Sequence, residues 1–106
     1  MAVDPTKVFA LSKVFHERAR LGIMTVLVSR EGEVEFGEVL GLLGLTKGNL
    51  AVHVSKLEEA GYLEVHKGFA GKMPRTTYSA TVLGRKDFTD YLALLEEVIA
   101  QARGEP

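Results

Sequence analysis

His16, His53 and His66 are the residues best suited to acid–base or metal chemistry in this 106-residue chain, and their spacing serves neither purpose. His16-Glu17 lacks the second histidine of a zinc-protease helix. His53 has Lys56 and Glu58 nearby but no second metal ligand at helical spacing. Glu31, Glu33, Glu35 and Glu38 form an acidic run that reads as a solvated loop. The absence of cysteine removes disulfides, thiolate ligands and a cysteine nucleophile. No phosphate loop, dinucleotide fingerprint or serine elbow occurs. The expectation is a non-enzyme with no catalytic residues, no metal and no cofactor.

Charge is the chemistry that remains. The net charge is only -1, but its distribution is uneven. Residues 1–43 are close to neutral. Residues 44–86 carry seven Lys/Arg against three Asp/Glu, a net of +4, and residues 87–106 carry one against five, a net of -4. A continuous basic block is the footprint of a phosphate-binding surface, weighed against a chance excess on a solvated face. Hydrophobic residues at 46% allow one core in one domain. Met1 to Lys7 has no apolar signal core and no apolar run could span a membrane, so the expectation is a soluble, cytoplasmic protein.

The elements that must position the basic block follow from periodicity. Asp4-Pro5 reads as an N-cap and first helical position, followed by an amphipathic stretch through Val8, Leu11 and Phe15, a break near His16, and continuation to Val28. Val34 to Phe36 reads as extended, and Glu38 to Leu43 as a short helix ended by Gly44. Thr46 suits an N-cap, and Leu50, Val54 and Leu57 make one helical stripe that stops at Gly61. Tyr62 to Lys67 and Arg75 to Ala80 alternate as strands, with a loop over Gly68 to Pro74, and a final helix runs from about Thr81 to Arg103. The fold class is therefore α+β, mostly helical. It comprises a helix-turn-helix over about 36–60, a hairpin wing over about 62–80 and a terminal helix over about 81–103.

The stretch Leu45 to Arg85 resembles compact, stand-alone winged-helix regulators of the MarR/ArsR type. The resemblance rests on Thr46, Gly48, Asn49 and Leu50, then His53, Leu57, Glu58, Gly61 and Tyr62. Gly68, Gly71, Pro74, Thr76 and Tyr78 continue it in the wing, and Thr81, Gly84 and Arg85 in the last helix. It departs from ArsR metal sensors in having no cysteine cluster, so regulation by a soft metal is not expected.

The resemblance implies a second helix lying in the major groove of double-stranded DNA. Opposite the Leu50 stripe lie Gly48, Asn49, Val52, Ser55, Lys56 and Glu59, with Lys47 in the first turn. Asn49 is suited to adenine, Val52 to a thymine methyl, and Gly48 to close backbone approach. Thr46, His53 and Lys56 are expected at phosphates. In the wing Lys67, Lys72, Arg75 and Thr76 are the expected contacts, against the plainer reading of a charged, solvated hairpin tip.

The terminal segments suggest a homodimer. Phe88, Leu92, Leu95 and Ile99 repeat at spacings of four, three and four, widened by Tyr91 and Val98. Together with Val8, Phe9, Leu11 and Phe15 they are the expected dimer interface, the alternative being a helix that folds back on its own core. The functional expectation is a dimeric, sequence-specific regulator acting as a repressor, with no dedicated effector domain. The competing expectation is a winged-helix protein-assembly module without DNA binding.

Overall fold

The computed structural model describes residues 4–105, so the first residues of the Met1–Lys7 segment lie outside it. The chain begins as expected, with the Asp4 side chain accepting from the Thr6 N–H and Pro5 opening a 3-10 helix, Pro5–Ala10. The amphipathic run then breaks earlier and over a longer stretch than its periodicity predicts. Residues 11–17 are turns, with the Ser12 hydroxyl accepting from the Phe15 N–H, and Leu11 and Phe15 turn into the core.

Helix α1 (Arg18–Val28) starts where the Glu17 side chain accepts from the Arg20 N–H, and it buries Ile23, Met24 and Leu27. Strand β1 (Val34–Glu35) leads directly into α2 (Phe36–Leu43), so Phe36 starts the helix instead of ending an extended piece. Gly44 closes α2 at φ 63°, a left-handed conformation that favours glycine. The Thr46 hydroxyl caps α3 (Lys47–Glu59) by accepting from the Asn49 N–H, and Leu50, Val54 and Leu57 are buried. The α3 C-terminus is a Schellman motif: the Gly61 N–H donates to the Glu58 carbonyl and the Tyr62 N–H to the Leu57 carbonyl.

Strands β2 (Leu63–Ala70) and β3 (Met73–Ala80) form an antiparallel hairpin, and β1 pairs on the other side of β3, giving the order β1-β3-β2. The predicted loop over Gly68 to Pro74 shrinks to the turn Gly71-Lys72. Gly71 has φ 64° and Lys72 does not share it, the pattern of a type II′ turn. Pro74 is tolerated in β3 because Phe69–Pro74 is the second pair from the turn, where a strand N–H points away from its partner. There β1 no longer runs alongside, since it reaches only Thr77 and Tyr78.

Helix α4 (Val82–Ala102) is joined closely to the end of α3. The Thr81 hydroxyl accepts from the Gly84 N–H and donates to the Gly61 carbonyl at 2.6 Å. Arg85 donates to the carbonyls of Val28 and Arg30 at 3.0 and 2.7 Å, covering the end of α1.

Four of the residues expected between chains lie inside one chain instead. Leu11, Phe15, Phe88 and Tyr91 are buried, and the Phe15 ring meets those of Tyr62, Phe88 and Tyr91 at 4.4, 5.2 and 5.7 Å. The turns over 11–17 cause this, because they fold the chain back across the first half of α4. Of the remaining expected interface residues, Val8, Phe9, Leu92 and Ile99 are exposed, while Leu95 and Val98 are half-buried. The 3-10 helix accompanies the far half of α4, through the Asp4 N–H donating to Gln101 and the Lys7–Glu97 pair. The molecule is consequently long, 61 × 26 × 21 Å.

Candidate nucleic-acid interface

With its apolar stripe in the core, α3 turns Lys47, Gly48, Asn49, Val52, Ser55 and Lys56 to the outside. Val52 is 54% exposed although apolar. No carboxylate lies between Lys47 and Leu57. A Cβ added at Gly48 would meet nothing within 4 Å and its φ is not positive, so no packing within the chain requires glycine there. The Thr46 oxygen accepts the capping N–H of Asn49, which leaves its O–H available as a donor.

His53 sits differently from the phosphate contact expected of it. It is half-buried, with Nδ1 3.0 Å from the Arg20 guanidinium. A guanidinium only donates, so Nδ1 accepts. Arg20 also donates to the carbonyls of Val14 and Lys13, which ties α3 to the segment entering α1. His16 and His66 are engaged too, with the hydroxyls of Tyr91 and Ser79 respectively.

Between α3 and the hairpin lies an open cleft of about 600 Å³. Ala51, Val54, Ser55 and Glu58 form one wall, and Val65, Lys67, Thr76 and Tyr78 the other. Strand alternation divides the wing residues between two faces. Lys67 and Thr76 lie on the cleft side. Arg75 lies on the opposite face, where its guanidinium meets Glu35 of β1 at 2.9 Å. Behind it the Thr77 hydroxyl donates to Glu33 at 2.7 Å. Glu33 and Glu35 thus support the back of the hairpin, a role their solvated-loop reading missed. Lys72 is at the turn, in the open.

The basic block of residues 44–86 is accordingly unequal in use. Arg75 is paired with Glu35, Arg85 binds the end of α1, and Lys86 pairs with Asp90 at 3.0 Å. Lys47, Lys56, Lys67 and Lys72 remain, all exposed on α3 or the wing. Sequence reasoning also passed over Phe69 and Met73, large apolar side chains exposed at the hairpin tip; their signal was an aromatic inside a glycine-bearing loop.

The helix-turn-helix, the cleft and the hairpin have a counterpart among known proteins. Residues 19–99 match a family described as the winged helix DNA-binding domain. The chain belongs to this family. Within the curated proteins the winged-helix chain is 35% identical over 80 residues to an uncharacterised protein of Methanocaldococcus jannaschii, covering 76% of this chain and 86% of that one. It is similar to the structure of a transcriptional regulator homologue from Pyrococcus horikoshii, at 33% identity and a TM-score of 0.80, over 90% of this chain and 93% of that one. A MarR-family regulator from Enterococcus faecalis shares the fold at 20% identity and a TM-score of 0.74, over 98% and 94% of the two chains. Among the described residues, no helix of this winged-helix domain is long and apolar enough to cross a membrane.

Proposed function

We propose that two copies of this winged-helix domain bind one stretch of double-stranded DNA in the cytoplasm, each laying α3 in the major groove, and repress transcription by occupying the site. The observation that carries this reading is the outward face of α3. Lys47, Gly48, Asn49, Val52 and Lys56 are all exposed there, and no carboxylate interrupts them. Among the described residues neither lysine belongs to an ion pair.

Asn49 pairs with adenine and Val52 packs on a thymine methyl. Gly48 lets the helix backbone come close, and Thr46, Lys47 and Lys56 hold phosphates. His53 acts indirectly, fixing the rotation of α3 through Arg20. From the wing, Lys67, Lys72 and Thr76 take the neighbouring backbone. Arg75 reaches it by exchanging its exposed pair with Glu35, and exposed pairs are worth only about 0–1 kcal/mol. Val8, Phe9, Leu92 and Ile99, flanked by Leu95 and Val98, form the seam between copies.

The test is fluorescence anisotropy on random-sequence duplexes across a salt series, beside selection of bound sequences from a random library. Log affinity should fall linearly with log salt, and the selected sequences should form a near-palindrome. Lys56→Ala should weaken all duplexes alike and lower the salt slope by about one. Asn49→Ala should relax preference at a single position, at a cost of roughly 1–3 kcal/mol. Absence of binding at low salt would leave the protein-assembly reading in its place.

A further inference from the structure

Phe69 and Met73 are 73% and 70% exposed at the end of the hairpin, where a solvated tip ordinarily carries polar side chains. Phe69 faces Pro74 across the two strands, and Ala70 faces Met73. Alternation puts Phe69 and Pro74 in line with Lys67 and Thr76, beyond the residues that line the cleft with α3, and Phe69 also borders the hollow on the back of the hairpin beside Gly68 and Arg75. From Val65 to Ala80 the sequence has no carboxylate, and Lys67 and Lys72 bracket the tip. The two-residue turn and the fixed φ of Pro74 hold the pair in place. The hairpin therefore ends in a small, stiff apolar point set among positive charges.

We propose that the Phe69–Pro74 pair is a wedge that enters the minor groove of DNA and partly unstacks one base step. The inference rests on the DNA-binding reading above and adds a part of the site to it. Charge selects this occupant. Anionic backbones flank a minor groove on both sides, and Lys67 and Lys72, exposed on either side of Phe69 in the sequence, are free to meet them. A protein partner would need roughly 1,000 Å² of interface or more, which a two-residue tip does not offer. Apolar side chains inserted in this way bend DNA by about 20–90° toward the major groove.

The experiment uses the full chain and a 30-base-pair alternating TA duplex (length about three helical turns), whose pyrimidine–purine steps unstack easily. One adenine is replaced by 2-aminopurine, which brightens when unstacked, and anisotropy is recorded on the same samples. Wild type should bind and raise the 2-aminopurine signal. At saturation Phe69→Ala should still bind but leave the signal flat, with affinity down roughly tenfold, the scale of one lost aromatic stack. Phe69→Trp should restore the signal. Because Phe69 lies outside the core, both variants should keep the wild-type melting temperature. Wild-type binding with no brightening, or equal brightening by Phe69→Ala, would overturn the wedge while leaving the α3 assignment intact. Failure of wild type to bind any duplex at low salt would overturn both.

Discussion

A Cβ placed on Gly84 would lie 2.1 Å from the carbonyl oxygen of Tyr62 and 2.9 Å from its carbon. Backbone cannot yield as a flexible side chain can, so α4 would have to lift away from the end of α3. Gly84→Ala should therefore destabilise the chain by roughly 1–3 kcal/mol, the range for overpacking a tight contact. The better helix propensity of alanine, worth about 1 kcal/mol in a helix interior, opposes that loss without cancelling the clash. Thermal melting with far-UV circular dichroism checks the prediction, and an unchanged or higher midpoint would contradict it. Gly84 was visible in the sequence as part of a motif with Thr81 and Arg85. Its reason was not, because the atom it makes room for belongs to Tyr62. Asn49 and Val52 were legible more fully, since a helical wheel with Leu50, Val54 and Leu57 inside leaves them outside without further information. His53 lies on the same wheel between core and surface, and only the distant Arg20 decides its use.

Arg85 shows what a count of charges along a segment cannot resolve. It added to the basic block, yet its guanidinium donates to the carbonyls of Val28, the last residue of α1, and of Arg30 just beyond it, and ties α4 to that end of the helix. Arg85→Met keeps much of the apolar stem and removes the donors. It should lower stability by roughly 1–3 kcal/mol, as expected for hydrogen bonds from a charged group. The urea midpoint should fall at unchanged slope. DNA affinity measured well below the melting temperature should stay near wild type; a large loss would mean Arg85 touches DNA after all. The helices α3 and α4 were legible because their caps, Thr46 and Thr81, sit just before the apolar repeats. The hairpin was legible in kind but not in length. Gly68 and Pro74 are ordinary loop signals, and only pairing with the opposite strand shows that both fit an extended ladder. The pairing of β1 with β3 joins residues more than forty positions apart, so the acidic run gave no sign that two of its members brace the wing.

For the whole molecule the decisive quantity is what one chain leaves uncovered. The aromatic cluster around Phe15 closes inside the single chain, which removes four residues from the proposed seam and leaves the far half of α4 with the 3-10 helix as its companion. Ile99 is 40% exposed there, beside half-buried Leu95 and Val98. Ile99→Glu should spare the fold of the single chain and place like charges opposite each other in a two-fold seam. Sedimentation velocity at tens of micromolar, a concentration range where specific dimers of about 1 μM affinity are formed, should show dimer for wild type and monomer for the variant. The wild-type melting temperature should rise with protein concentration. A wild type that is monomeric throughout would remove the dimer from the proposal and leave a single α3 to read a single half-site.

The junction at Gly61, Tyr62, Thr81 and Gly84 has a consequence for the DNA as well. It fixes the angle between α3 and α4 by a hydroxyl-to-carbonyl bond and a backbone contact too tight for a methyl group. In the proposed dimer, α4 leads to the seam and α3 to the groove, so this angle works as a caliper whose jaws are the two α3 helices. A caliper with a stiff pivot accepts one gauge. Each base pair inserted between half-sites turns the second groove by roughly 34–36° and moves it by about 3.4 Å. An operator lengthened by a single base pair should therefore be gripped at one end only.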